Sequence, residues 1–206
     1  RQRALRSFNE NAGPIAKVYR VAGSGLLEQV CRAVFGWDLV LSLQAHPQQM
    51  RRVLVLGETG TGKERMSRLI ARTIQILHGG EAGKDWSISA ANFQGDTLRS
   101  ELFGHMKGAF TSAMTNHLGI LGAMSEGEAL FIDQVGEASP AVQTLLLRAV
   151  QEGKFRAVGA LGERSVRFHL VAATNRSEWE LRQGEGFRSD LYLSLIHISE
   201  PTRRTT

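Results

Sequence analysis

The sequence predicts an α/β fold, a three-layer sandwich with a mostly parallel sheet between layers of helix. Three observations carry this. Short apolar runs at Val53–Leu56, Ala129–Ile132 and Phe168–Ala172 read as buried strands, because a strand covered on both faces needs no polar alternation. Amphipathic stretches separate the runs, and strands alternating with helices fold into a parallel sheet. A glycine-rich turn, Gly57–Lys63, joins the first strand directly to a helix.

The elements follow in order. Residues 1–20 are polar with scattered apolar positions and no period, and read as a flank or linker. The domain itself is expected over 21–192. Residues 26–43 hold Leu26, Leu27, Val30, Val34, Leu39, Val40 and Leu41, which predict a helix and then a mixed segment. Val53–Leu56 is a strand ended by Gly57. Met66, Leu69, Ile70, Ile74 and Leu77 recur at the 3–4 spacing of an amphipathic helix over 63–77. A glycine-rich loop over 79–85 leads to a strand at Trp86–Ala90, and Thr97–Phe103 reads as helical. Asp133 ends the strand Ala129–Ile132. Ser139-Pro140 marks a helix start, with serine as cap and proline in the first turn. Val142, Leu145, Leu146, Ala149 and Val150 give that helix one apolar face. Phe168–Ala172 is the fourth strand, and Ala173-Thr174-Asn175 follows it.

Composition excludes whole classes of function. The 206 residues suit one domain, at about 100–200 residues per domain. With 42% hydrophobic and 22% charged residues the chain is not disordered. Its one cysteine, Cys31, permits neither an internal disulfide nor a cysteine-built zinc site. No apolar run approaches the about 18 residues that span a bilayer. The net charge of +5 is inflated by arginines near both ends. No helix-turn-helix or aromatic-basic pattern accompanies that charge, so direct contact with DNA is not expected of this segment.

Gly57-Glu58-Thr59-Gly60-Thr61-Gly62-Lys63 fits G-x-x-x-x-G-K between a strand and a helix. This is a phosphate loop of the P-loop NTPase kind. Its glycines let backbone N–H groups turn inward around phosphate oxygens, and the helix N-terminus adds its positive end. Lys63 is placed to reach the outer phosphates. The alternative is a glycine-rich turn without a ligand. Glu64 stands where a serine or threonine normally supplies a hydroxyl to magnesium. Asp133, at the carboxyl end of a buried strand beside such a loop, is the position that holds Mg²⁺. Gln134 follows it. An amide can hydrogen-bond an attacking water but cannot take its proton as a carboxylate does.

These residues resemble the AAA+ domain of bacterial sigma-54-dependent transcription activators, from about Val21 to Tyr192. The most specific segment is Glu101–Ala113, within which Gly108-Ala109-Phe110-Thr111-Ser112-Ala113 resembles the family's G-A-F-T-G-A. The phosphate loop resembles its G-E-[ST]-G-T-G-K-E, which accounts for Glu64. Gln151–Gly159 resembles its Q-E-G-x-F-x-x-V-G hairpin, Ala173–Arg176 its sensor segment and Phe187–Tyr192 its arginine-finger segment.

The resemblance implies an AAA+ α/β subdomain that binds ATP and Mg²⁺ and assembles into a ring with nucleotide between subunits. Nucleotide state would raise or lower the Gly108–Ala113 loop, which would touch the sigma-54 RNA polymerase holoenzyme and remodel its closed complex. Phe110 is then the apolar contact, or else a buried loop anchor, and Thr111 its conformational partner. Asn175 would sense the γ-phosphate, or else cap the next turn. Arg188 would reach the neighbouring subunit's nucleotide, or else be a solvated surface arginine. The family's helical lid and DNA-binding helix-turn-helix have no counterpart in these residues, so DNA is expected to be met only through another domain. The resemblance places the protein in the cytoplasm, off the membrane.

Several residues depart from the family pattern. Gln134 replaces the glutamate that activates water, so an ATPase is expected by resemblance while hydrolysis stays open. Ser89 replaces an asparagine that couples that glutamate to the loop. Ser112 replaces a hallmark glycine, and Ser194 a second arginine. Met124, Glu126 and Glu128 stand where small residues are common. One alternative is a pseudo-ATPase that regulates by nucleotide-dependent assembly alone. Another is an AAA+ remodeller of a different kind. The chain opens on Arg1, and Leu193–Arg203 resembles a translated sequencing-library adapter. The expectation is a sequence cut from a longer one, with a non-native tail over 193–206 that carries no stable packing.

Overall fold

The computed structural model describes residues 16–20, 50–77, 84–93 and 96–196, with backbone alone at 16–20. Five strands are β1 (Ala16–Arg20), β2 (Arg52–Leu56), β3 (Trp86–Ser89), β4 (Ala129–Asp133) and β7 (His169–Thr174). They form one sheet in the order β1-β2-β7-β4-β3, and every pairing is parallel. Helices α1 (Lys63–Leu77), α2 (Thr97–Phe103), α3 (Ile120–Ala123), α4 (Pro140–Glu152), α5 (Glu178–Gln183) and α6 (Ser189–Ile196) connect them. A short antiparallel pair, β5 (Lys154–Phe155) and β6 (Arg164–Ser165), stands apart.

Side-chain alternation splits the core into two layers. Val53, Val55, Phe131 and Val171 face Met66, Ile70 and Ile74 of α1. Leu54, Leu56, Leu130, Ile132 and Leu170 face the other way, onto Leu102, Leu146 and Leu191 of α2, α4 and α6. Each central strand is therefore apolar on both faces, which is why it reads as an unbroken run.

The elements keep close to their sequence signals. Ser139 caps α4, its Oγ accepting the Val142 N–H at 3.4 Å, with Pro140 in the first turn. Ser177 and Glu180 form a capping box on α5. The fourth strand begins one residue later than expected and runs on through Thr174. β3 stops at Ser89, because Ala90–Asn92 turns into a 3₁₀ helix. Part of the expected flank, Ala16–Arg20, pairs in register with β2 and adds a parallel edge strand. The helix expected within 26–43 and most of the 79–85 loop lie outside the described residues.

Packing does not stop at Tyr192. α6 continues to Ile196, and Leu195 is fully buried. The reason is spacing, since Leu195 lies four residues after Leu191 on the same helix face. Arg52 reinforces that end of the sheet. Its guanidinium donates to the Val150 carbonyl at 2.7 Å and the Ser194 carbonyl at 3.1 Å. One cation thus serves the last turns of both α4 and α6, where orphan carbonyls collect. Burial pulls the Arg52 pKa below its ordinary value.

The atypical stretch before Asp133 is also accounted for. Glu128 is buried, and its carboxylate accepts the Trp86 indole N–H at 2.8 Å and the Ser125 N–H at 2.7 Å. Glu126 pairs with Arg167 at 3.0 Å, and Met124 packs on the core.

Arg52→Met should cost about 2–3 kcal/mol, the value of hydrogen bonds to a charged group plus two carbonyls left unpaired. Urea unfolding of the two proteins measures it, and a change below about 0.5 kcal/mol would show that water replaces the guanidinium.

Candidate functional site

Parallel pairing aligns the carboxyl ends of four strands. Leu56 is level with Thr174, Ile132 with Ala172, and Ser89 with Asp133. Everything that follows those residues emerges at one edge of the sheet, where open α/β sheets bind ligands. The sequence places Gly57–Glu64, Asp133, Gln134 and Asn175 there, and the structure brings them together.

The phosphate loop is anchored at its start by Gly57 N–H donating to the Thr174 carbonyl at 3.3 Å. Gly60 and Gly62 take φ of 82° and 83°, the left-handed region that turns N–H groups inward. A Cβ on Gly60 would meet nothing within 4 Å, so backbone conformation and not crowding demands the glycine. Lys63 opens α1 with its side chain nearly buried, and its Nζ donates to the Glu58 carbonyl at 3.2 Å. The Thr61 hydroxyl donates to the same carbonyl at 2.8 Å. Glu64 points to Arg68, which accepts no proton but donates three ways, to Glu64 at 3.1 Å, Asp85 at 2.8 Å and Ser87 at 2.9 Å. Sequence reasoning missed Arg68, although its place four residues after Glu64 was the available signal.

Asp133 has one buried carboxylate oxygen, Oδ1, without a hydrogen-bond partner among the described residues. Burial raises its pKa, and nearby Glu64 adds to this, while a backbone hydrogen bond from Gln134 and the charges of Lys63 and Arg68 oppose it. An orphaned carboxylate oxygen beside a phosphate loop fits a cation or its bound water. Gln134 adopts φ 50°, ψ 44°, the one left-handed non-glycine residue among those described. That conformation costs about 1–3 kcal/mol and collects at functional sites. Asn175 is exposed at the end of β7.

The six-residue loop lies between β3 and β4, so its first arm leaves the sheet at Ser89, level with Asp133, and its second returns to the start of β4 at Ala129. Its neck is pinned by paired backbone bonds between His105 and His117, at 2.9 and 2.8 Å. Val158, in the β5–β6 connection, adds a bond to each of Gly104 and Met106, both at 2.9 Å. The arms cross at Gly104 and Gly119, whose φ/ψ of 79°/173° and 72°/164° belong to a region that is essentially glycine-only. A Cβ on either would collide with the backbone of the other arm. Beyond the neck, Lys107 N–H donates to Asn116 Oδ1 at 2.7 Å and Gly108 N–H to the Ala113 carbonyl at 2.8 Å.

Ala113 is buried, whereas Gly108, Phe110, Thr111 and Ser112 are exposed and Ala109 is half-buried. Phe110 is 38% exposed and sets its ring edge-on to His105, centroids 4.8 Å apart. His105 in turn shares a 2.7 Å hydrogen bond with the Ser100 hydroxyl of α2. Phe110 is thus displayed and steadied at once. Met114, just past the six-residue motif, is 75% exposed.

Arg188 lies elsewhere. Its guanidinium forms a fork on Asp190 at 3.0 and 2.6 Å and reaches the Thr144 hydroxyl at 3.3 Å. None of these partners belongs to the phosphate loop. The Asp190 pair raises the Arg188 pKa and lowers that of Asp190.

The profile of the Sigma-54 interaction domain matches residues 38–199. The chain belongs to the sigma-54 interaction domain family. A Nif-specific regulatory protein of Azorhizobium caulinodans is 37% identical over 198 residues, which cover 96% of this chain and 31% of that protein. The hydrogenase transcriptional regulatory protein HoxA of Bradyrhizobium diazoefficiens is 44% identical over 147 residues, 69% of this chain and 28% of HoxA. The chain therefore spans roughly a third of the curated relatives it matches. Among solved structures, NtrX from Brucella abortus in complex with ADP superposes with TM-score 0.59 at 19% identity, covering 96% of this chain and 39% of NtrX. The same protein in complex with ATP gives 0.58. These show the AAA+ fold. No helix among the described residues is long and apolar enough to cross a membrane.

Two outcomes follow for this sigma-54 interaction domain. An acid whose folded pKa is raised binds protons more readily folded than unfolded, so its contribution to stability falls as pH rises through that raised value. Asp133→Asn should therefore raise the melting temperature of the ligand-free domain at pH 7. The gain should shrink as pH is lowered through the carboxyl range, and an equal or larger gain at pH 4 would overturn the assignment. Gly119→Ala should open the neck at a cost of about 2 kcal/mol or more, seen as fast amide exchange at His105 and His117.

Proposed function

We propose that this domain binds Mg²⁺-ATP at the sheet edge and uses the Gly108–Ala113 loop to engage sigma-54 in the RNA polymerase holoenzyme. The observation that supports it is connectivity. The loop that displays Phe110 leaves the sheet at Ser89, which is level with Asp133, so a change at the phosphates would act on one of the loop's own supports. Backbone N–H groups of Gly57–Gly62 and the Lys63 ammonium would hold the phosphates. Asp133 would hold Mg²⁺, which when bound supplies charge neutralisation to them. Asn175, exposed at the end of β7, would donate to the γ-phosphate. Arg188 would be lent to a neighbouring subunit's nucleotide, in a ring. Target DNA would be reached through another domain, and the setting would be the cytoplasm.

Capture of purified sigma-54 tests the reading. Binding should depend on Mg²⁺ with a non-hydrolysable ATP analogue. Phe110→Ala should weaken it about tenfold or more, as loss of a central aromatic contact does. Capture indifferent to nucleotide, or to Phe110→Ala, would overturn the proposal.

A second reading is favoured by Gln134 together with Ser89. The position that would activate water carries an amide and no base, and the one that would couple it to the loop carries a serine. Nucleotide would then act as a structural ligand for assembly. Gln134→Glu decides between the two. If the rest of the machinery is competent, turnover of ATP should rise about 10²–10⁴-fold, the usual contribution of a positioned base. Unchanged turnover with unchanged ATP affinity would favour the structural role.

A further inference from the structure

Gln143 is an anomaly on its helix. It sits near the start of α4 on the face that buries Val142, Leu146 and Ala149, and it is itself fully buried. An amide in that position must be hydrogen-bonded or it costs free energy. It is bonded at both ends. Its Nε2 donates to the Ala138 carbonyl at 2.8 Å and the Gly186 carbonyl at 3.0 Å, and its Oε1 accepts the Arg188 N–H at 2.7 Å.

Those partners come from two segments that lack ladder bonds of their own. One is the turn that follows Asp133 and Gln134, whose Glu137 N–H donates to the Gln134 carbonyl at 2.9 Å and which ends at Ala138. The other is the connection from α5 to α6, with left-handed glycines at 184 and 186, which delivers Arg188. A second side chain spans the same gap. Arg176 donates to the Glu185 carbonyl at 2.8 Å and lies 3.7 Å from the Glu137 carboxylate. Gly136 and Gly186 give it room, since a Cβ at either would come within 2.9 Å of its side chain.

We propose that Gln143 is the positioning residue for Arg188, fixing its backbone against the turn that carries this subunit's own Asp133 and Gln134. The inference rests on the reading that Arg188 completes a neighbouring subunit's site. A shift at the acidic strand end of one subunit then moves the arginine it lends to the next. Gln143 acts through the Arg188 backbone and touches no nucleotide.

The test uses the full chain and a fluorescent non-hydrolysable ATP analogue with Mg²⁺, its affinity measured from dilute to concentrated protein. Association should tighten binding in the parent by about tenfold or more, the value of one charge-assisted hydrogen bond from a neighbour. Arg188→Ala should abolish that tightening and leave the dilute affinity unchanged. Gln143→Met, of similar length and helix propensity, should do the same, and the double variant should be no worse than Arg188→Ala. A merely structural role would instead lower the dilute affinity, which overturns the proposal. Tightening retained in Gln143→Met but lost in Arg188→Ala overturns it too, while sparing the ring reading. No difference between Arg188→Ala and parent removes the ring reading and the proposal with it. Hydrogen exchange on the unsubstituted chain guards against a variant that fails to fold. The Arg188 amide should be protected at least tenfold beyond its exposed neighbour Ser189, and equal exchange would overturn the clamp.

Discussion

The parallel ladder is the constraint from which the rest follows. A sheet whose strands all run one way must deliver all its carboxyl ends to one edge, and every connection must cross back over a face. Here the pairings of Leu56 with Thr174 and of Ser89 with Asp133 fix which residues leave that edge together. The phosphate loop, the acidic strand end and the asparagine after β7 are thousands of possible arrangements in an open chain and one arrangement in this sheet. The two-sided core holds the register, because a slip of one residue would turn Val53 and Val55 to the layer that Leu54 and Leu56 occupy.

The excursion between β3 and β4 obeys a different rule. Leu98, Leu102, Phe103 and Leu121 anchor its helices in the core, but between residues 105 and 118 Ala113 alone is a buried hydrophobic, and that stretch is held by close backbone approach at Gly104 and Gly119 and by the bonds among His105, His117 and Val158. Such a neck is crowded where the arms cross and open beyond it, where a Cβ on Gly108 would meet nothing within 4 Å. Ser112 in place of a glycine falls in the exposed part, away from the crossing, so it narrows backbone freedom without touching the neck.

Much of this was legible in the sequence, and the reason is physical. Apolar runs, the 3–4 spacing over 63–77, Ser139-Pro140 and the glycine pattern are local signals, and the elements they mark form nearly where expected. The edge strand at Ala16–Arg20 carried no such signal, because an edge strand needs no continuous apolar run. The packing of Leu195 was obscured by reading 193–206 as foreign, whereas its period with Leu191 was plain. The residues that tie the site together were illegible. Asn116, Gln143 and Arg176 act on carbonyls, amides and carboxylates brought near by topology, and nothing in their own neighbourhoods marks those partners, while Arg68 offered only its spacing from Glu64 and gave no sign of Asp85 or Ser87. Gln143 left one trace, a polar residue on an otherwise apolar helix face.

Gln134 is best weighed through charge. The edge already gathers Glu64 and Asp133, and burial alone drives Asp133 toward its neutral form. A further carboxylate would add like charge to a region that must accept polyanionic phosphates, whereas an amide adds none. On the proposed reading, an amide at residue 134 would weaken base catalysis and ease phosphate binding, so the two would not fall together. The strained backbone at Gln134 points the same way. The left-handed Gln134 opens a turn whose Ala138 and Glu137 are tied to Gln143 and Arg176. The clamp to the Arg188 segment holds that turn through the Ala138 carbonyl and the Glu137 carboxylate, so its contacts do not depend on whether residue 134 carries an amide or a carboxylate.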